Sequence, residues 1–531
     1  NLKIFFMGDT DRKQQFIQSI NDGYSFKGET ITLGGAILDK EVLTGTLIKL
    51  PLKTMNRHGL IAGATGTGKT KTLQLITESL AAKSVPVVVM DIKGDLSGVA
   101  KPGVSNEKIT GRMSSIGVEW NAEGNTVEFL TISAEKGARL RATTSEFGPV
   151  LFSRMLGLNE TQSSLVSVIF KYSDDKQLPL LDLADMKRLI QYIQEEGKSE
   201  FEASYGKVSS SSLGIILRKI VELEQQGANE FFGERSFEAE DLLRCDSNGR
   251  GVISVIRLVD MQTRPKLFST FLLSLLAEIY STFPEEGDLD QPKLVMFIDE
   301  AHLLFSEASD ALLSQIESII KLIRSKGVGI FFCTQNPTDI PNIVLSQLGL
   351  KIQHALRAFT AKDRKDIKLI SENYPLSSYY DIDDLLTSLG IGEAAVTVLS
   401  EKGTPTPLAA TMLLAPRSRM DVLSPAEIDE IVAASKIAAK YNEVIDKESA
   451  LEILNKKIEE HNAEQQKAAE EKAQEKESGK PKKEEKSTVE KVLTSTTAKQ
   501  VGRTVAREVT RGLLGVLGIG GTRRKKKTSW F

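Results

Sequence analysis

The run Gly63-Ala64-Thr65-Gly66-Thr67-Gly68-Lys69-Thr70 constrains this chain more than any other feature. It fits the pattern G-x-x-x-x-G-K-[ST], and its flanks supply the context that the pattern needs. Residues 59–62 before it form a short apolar run, and Leu73, Leu75, Ile76 and Leu80 after it recur at helical spacing within residues 69–82. Strand, loop and helix in that order set the loop at the positive end of a helix dipole. The glycines let successive amides turn inward, so that the backbone can cradle a polyphosphate. Lys69 is expected to reach the β and γ phosphates and Thr70 to offer its hydroxyl to magnesium. The ligands implied are ATP and Mg2+.

The rest of the chain supplies a sheet to carry that loop. Residues 85–90, 251–258, 293–298, 327–334 and 350–356 are nearly continuous apolar runs, the mark of parallel strands covered on both faces. Helical stretches such as 267–283 and 311–324 separate them. Alternation of this kind predicts an α/β fold with a doubly wound parallel sheet. Two more strand candidates, 392–399 and 405–413, close the domain. Residues 145–245 depart from the alternation and read as amphipathic helices at 156–172, 182–196 and 211–225, a helical insertion.

Hydrolysis needs more than a phosphate cradle. The apolar run Leu294-Val295-Met296-Phe297-Ile298 ends in Asp299-Glu300. Asp299, at the strand's C-terminal end, is placed to hold magnesium through water, and Glu300 to orient or deprotonate the attacking water. Asp299-Glu300-Ala301-His302 also spells the box of a large helicase superfamily. That superfamily's later motifs, Ser-Ala-Thr and Gln-x-x-Gly-Arg-x-Gly-Arg, do not occur here, so His302 is expected to pack or to hydrogen-bond. The next strand ends Thr334-Gln335-Asn336-Pro337, which sets the Gln335 amide beside the acids, where it can sense the γ phosphate. Arg324 before that strand and Arg357 after the following one are candidates for the cation that stabilises transition-state charge, in their own subunit or a neighbour's.

The order of loop, Asp-Glu strand, Arg-x-x-Gly-Val-Gly and Thr-Gln-Asn-Pro resembles the HerA/FtsK superfamily of ring-forming ATPases. More narrowly, Asn56 to Thr70, Asp91-Ile92-Lys93-Gly94-Asp95-Leu96 and Phe297 to Phe305 resemble bacterial HerA-like proteins of the YjgR type, over roughly residues 30 to 420. The resemblance implies a RecA-like P-loop NTPase core, magnesium, and a homo-oligomer, with a hexamer and sites between subunits expected. Only 62 residues precede the phosphate loop, fewer than the N-terminal barrel of HerA translocases needs. The domains expected are a β-rich lead-in (1–58), the core (59–144 and 246–420), the helical insertion (145–245), C-terminal helices (421–455), a charged linker (456–486) and a basic tail (487–531).

Charge divides the chain. Residues 487–531 carry ten Lys or Arg against two Glu, so a net charge of −3 leaves −11 on residues 1–486. An acidic body argues against a protein that coats nucleic acid with its whole surface, so any contact there must be local. In the tail, Val501, Val505, Val509 and Leu513 line one side of a helix and Arg503, Arg507 and Arg511 another. Arg523 to Lys527 then precede Trp530 and Phe531, a pattern suited to nucleic acid, an anionic membrane surface or an acidic partner. The function expected is a nucleic-acid motor, with an ATP-driven machine for protein or membrane clients as the alternative. Two distant cysteines, Cys245 and Cys333, carry neither a disulfide framework nor a zinc site. With no apolar run near the ~20 residues that span a bilayer and no secretory pattern at residues 1–8, a cytoplasmic setting is expected.

Overall fold

A computed structural model of the chain describes residues 9–478, apart from 288, 307–309, 444, 446 and 447. Residues 1–8 and the basic tail at 487–531 lie outside the described residues. The chain divides into two compact units, Asn1–Leu140 with Phe237–Glu443, and Arg141–Ser236 with Val444–Phe531.

The first unit is built on one sheet. Its strands in chain order are β1 (Thr30–Leu38), β2 (Glu41–Pro51), β3 (Gly59–Ala62), β4 (Val87–Asp91), β5 (Val127–Thr131), β6 (Ala138–Arg139), β7 (Ile253–Arg257), β8 (Leu294–Ile298), β9 (Val328–Thr334), β10 (Leu350–Gln353), β11 (Glu393–Thr397) and β12 (Ala409–Leu413). They lie side by side as β2-β1-β12-β11-β10-β3-β9-β8-β4-β7-β5-β6. From β10 to β6 every neighbouring pair is parallel. All residues of β3, β4, β5, β8 and β9 are buried, as strands covered by helices on both faces must be. The fold is thus the expected RecA-like α/β core.

β11 and β12 do not continue the parallel order. β11 pairs antiparallel to β10 and β12 antiparallel to β11, and β1 and β2 extend the same sheet antiparallel beyond β12. The described part of the lead-in thus contributes two strands to the sheet, with the helix Asp9–Gly23 ahead of them. Phe16 and Ile20 of that helix are fully buried in the sheet's core.

The second unit is helical: Thr144–Met155, Glu160–Asp175, Leu183–Gln194, Lys198–Tyr205 and Ser210–Gln225. Three of these helices begin with reciprocal capping boxes, Thr143 with Glu146, Asn159 with Gln162 and Asp182 with Asp185, which satisfy amides that a helix start leaves open. The long helix Ala450–Ser478 joins this unit, since Leu451 N donates to Asp185 Oδ1 (2.8 Å) and Arg188 Nε to Asn455 Oδ1 (2.8 Å). The stretch at 421–455, expected as one group, is divided: helices Pro425–Ala434 and Lys436–Asn442 belong to the first unit. Residues 456–478 of the expected linker are helical.

Candidate nucleotide site

In a parallel α/β sheet, ligands bind beyond the carboxyl ends of the strands. The phosphate loop joins β3 to the helix Lys69–Ala82, and each end of it is tied to a neighbouring strand. Gly63 N donates to Thr334 O of β9 (3.3 Å) and Ala64 N to Ala355 O just past β10 (2.9 Å). Gly392 N, before β11, donates to Thr67 O (2.9 Å), and Arg112 holds that turn through the carbonyls of Ile391, Gly392 and Leu413 at 3.0–3.1 Å. Two glycines are required by geometry. Gly68 has φ +111°, and a Cβ at Gly63 would stand 2.5 Å from His354 Cβ.

Gly68 gives the following helix no side-chain cap, so its first amides face the loop. Lys69 Nζ donates back to Gly63 O (2.6 Å) and Ala64 O (3.1 Å), at the inner lip of the cradle. Its pKa is lowered, by burial first and then by the neighbouring Lys93 ammonium. Thr70 Oγ1 donates to Asp95 Oδ2 (3.3 Å).

β8 delivers the acids to the same edge. Asp299 is 3% exposed, and its Oδ2 has no hydrogen-bond partner. Burial pushes its carboxyl up to about 7; the Lys93 ammonium opposes this, and the Glu300 and Asp95 carboxylates add to it. A buried carboxylate oxygen without a donor is costly unless a cation satisfies it, which fits Asp299 to magnesium with Thr70 as its companion. Glu300 adopts a left-handed backbone, φ +46°. One of its carboxylate oxygens meets Lys93 Nζ. The other lies 3.1 Å from His302 Nδ1 and accepts from Gln335 Nε2 at 3.4 Å. Gln335 also accepts from Thr65 Oγ1 (3.1 Å), so a chain of contacts runs from the phosphate loop to the acid. His302 thus lies against Glu300, but its Nδ1 has no hydrogen-bond partner among the described residues.

Lys93 and Asp95 were not assigned a role from sequence. They stand on the turn after β4, which neighbours β8. Asp91, 2% exposed, builds that turn by accepting from the amides of Gly94 (2.7 Å), Asp95 (3.2 Å) and Leu96 (3.2 Å). Burial, then the Asp95 carboxylate, pushes Asp91 up to about 6, while those amides pull it down. The available signal was an Asp-x-Lys-Gly-Asp run at the end of an apolar parallel strand.

The two arginines part company. Arg357 is exposed on the loop edge, two residues beyond the Ala355 carbonyl that holds Ala64. Arg324 precedes β9, at the opposite end of the strands, and the seven residues of β9 put roughly 20 Å between it and Gln335. Arg324 therefore lies away from the acids of its own chain. Cys245 is exposed, Cys333 is buried, and both are free. Among the described residues no helix is long and apolar enough to cross a membrane.

Comparisons with known proteins bear on the fold and the family. The DNA double-strand break repair helicase HerA of Sulfolobus acidocaldarius is 23% identical over 370 residues, covering 68% of this chain and 66% of the relative. The DNA import protein CedB of the same organism is 26% identical over 345 residues, covering 64% and 49%. The chain thus spans less than two thirds of the length of either. The plasmid coupling protein TrwB, solved with the non-hydrolysable GTP analogue GDPNP, shares the fold with a TM-score of 0.50 at 15% identity, over 76% of this chain and 98% of TrwB. A family model described as "Helicase HerA-like C-terminal" matches residues 38–525, nearly the whole chain, and the chain belongs to that family.

Proposed function

We propose that this chain is the ATP-hydrolysing core of a cytoplasmic, ring-forming motor that works on nucleic acid. The observation that carries the reading is the convergence of Lys69, Thr70, Asp299, Glu300 and Gln335 at the carboxyl ends of the adjacent strands β3, β9 and β8. Names of the relatives, a DNA repair helicase and a DNA import protein, support DNA as the client.

The residues divide the work. Backbone amides from Gly63 to Thr70 cradle the phosphates, and Lys69 places its ammonium on the β and γ oxygens. Thr70 and Asp299 would hold magnesium, which supplies neutralisation of the charge that develops on the phosphates. Glu300 accepts a proton from the attacking water, and its backbone and its contacts with Lys93, His302 and Gln335 fix where its carboxylate points. Gln335, touching both Glu300 and Thr65, couples the state of the phosphate loop to the base. Arg357 completes the site within its own chain, and Arg324 acts on a neighbouring subunit's site, which makes a homo-oligomer, with a hexamer favoured, part of the catalytic unit.

ATP turnover measured with and without single- and double-stranded DNA, alongside the mass in solution, tests the whole reading. Magnesium-dependent hydrolysis by an oligomer, raised by DNA, is the expected result. Hydrolysis indifferent to every nucleic acid would move the client to protein or membrane.

A further inference from the structure

A basic, unpaired face lies on the same edge of the sheet, in a body whose net charge is negative. It is carried by Arg357 and the helix Ala361–Ser371. At about 100° per residue, Lys362, Arg364, Lys365 and Lys368 fall on one side of that helix, and all four are exposed. The opposite side is anchored by Ile367 and Ile370, 6% and 3% exposed, in a small core with Leu356, Tyr374 and Leu386.

The nearby acids are turned elsewhere. Asp363 Oδ2 accepts from the amides of Phe359 and Thr360, both at 2.8 Å, and caps the helix, while Asp366 is half-buried. Glu372 alone shares the exposed side, at its far end. Among the described residues none of these five cations has an ion pair, although most ion pairs elsewhere in the chain engage a lysine. At the front of the face stands Phe359, 87% exposed. A phenyl ring left in water beside unpaired cations suits a ligand with both flat apolar faces and regular negative charge. Nucleic-acid bases and phosphates supply both, and a base is free to stack only where the strand is single.

We propose that Phe359 with Lys362, Arg364, Lys365 and Lys368 is a contact for single-stranded nucleic acid, the ring stacking on a base and the cations tracking the backbone. This rests on the nucleic-acid reading above and gives it a place on the body rather than the tail. It also sits close to the engine, since Ala355, whose carbonyl holds Ala64 of the phosphate loop, is four residues from Phe359. A strand pulling on the face therefore pulls on the cradle.

The test uses the full chain and fluorescent oligothymidylate and duplex DNA, titrated over a salt series. Replacing Lys362, Arg364 and Lys365 together by Gln should lower the slope of log affinity against log salt by about 2 for the single strand, at about 0.7 per lost phosphate contact. Phe359→Ala should weaken single-strand binding about tenfold and duplex binding far less, and Phe359→Trp should restore it. Basal ATP turnover should be unchanged in all three. If wild-type protein binds DNA and the variants keep its affinity and slope, the face is not the contact, while the motor reading stands. If wild-type protein binds neither form, both fall. A change of mass in solution in the triple variant would make the face a contact between copies and overturn the proposal.

Discussion

Lys93 sets its ammonium against the Glu300 carboxylate and so joins the carboxyl ends of two adjacent strands, β4 and β8. Glu300 is 5% exposed and stands next to buried Asp299, so this cation compensates two carboxylates that water does not reach. Burial works most strongly against the charged Lys93, but its bond to Glu300 and the Asp299, Glu300 and Asp95 charges together outweigh that, and its pKa is raised. Removing Lys93 would leave the buried Glu300 carboxylate without its cation.

Lys93→Met should therefore lower turnover by about tenfold or more, with nucleotide affinity changed only a few-fold, because the phosphate cradle itself is intact. Lys93→Arg should recover most of the rate. Steady-state rates beside equilibrium binding of a fluorescent ATP analogue separate the two quantities. Parallel losses in both would mean that Lys93 serves the phosphates rather than the base.

Lys69→Ala and Thr70→Ala should each weaken binding of ATP with magnesium, since the cradle loses its cation or a metal ligand. Glu300→Gln should do the reverse, keeping ATP bound while slowing hydrolysis by about a hundredfold or more, in the range that a positioned base contributes. Calorimetric titration and phosphate release measure the two effects. Full turnover in the glutamine variant would assign the base elsewhere.

His58 gives a stability prediction with a defined sign. Its Nδ1 accepts from Ile330 N (3.0 Å), so its Nε2, 2.7 Å from Ile320 O, carries the proton and donates. Burial lowers its pKa from 6.5 to about 4; the Ile320 bond opposes this and the Arg324 cation adds to it. The unfolded chain therefore takes up a proton first as pH falls. The contribution is complete above 6.5 and is lost as pH falls toward 4. At about pH 5 the loss is about 2 kcal/mol. The gap in thermal midpoint between wild type and His58→Gln should thus narrow from about pH 7 to about pH 5. A constant gap would show that His58 does not titrate against folding.

What the sequence disclosed and what it hid follow from distance along the chain. The phosphate loop is contiguous, and its backbone function depends on residues that touch in sequence. Asp299 and Glu300 were legible because two acids at the end of an apolar strand need a cation. Lys93 and Asp95 were not, because their value depends on β4 lying beside β8, a fact of sheet order that no local pattern encodes. Whether Arg324 serves its own subunit or a neighbour's stayed open in the sequence for a related reason. Nearness in sequence to Gln335 is not nearness in space, because a strand carries the chain from one edge of the sheet to the other. The antiparallel return of β11 and β12 was equally silent, since apolar runs do not state their direction.

Those opposite positions of the two arginines make a mixing experiment decisive. If Arg324 acts on a neighbour's site, a ring containing both Arg324→Ala and Glu300→Gln subunits has junctions where an intact Glu300 faces an intact Arg324, and some turnover should return. Arg357, on the same edge as its own phosphate loop, should behave differently. Arg357→Ala and Glu300→Gln each damage the site of their own chain, so no junction between them is whole and mixing should restore nothing. Turnover of each variant alone, and of mixed rings verified by mass, checks both statements. Rescue with Arg357→Ala but not with Arg324→Ala would exchange the two roles, and rescue with neither would place the whole site within one chain.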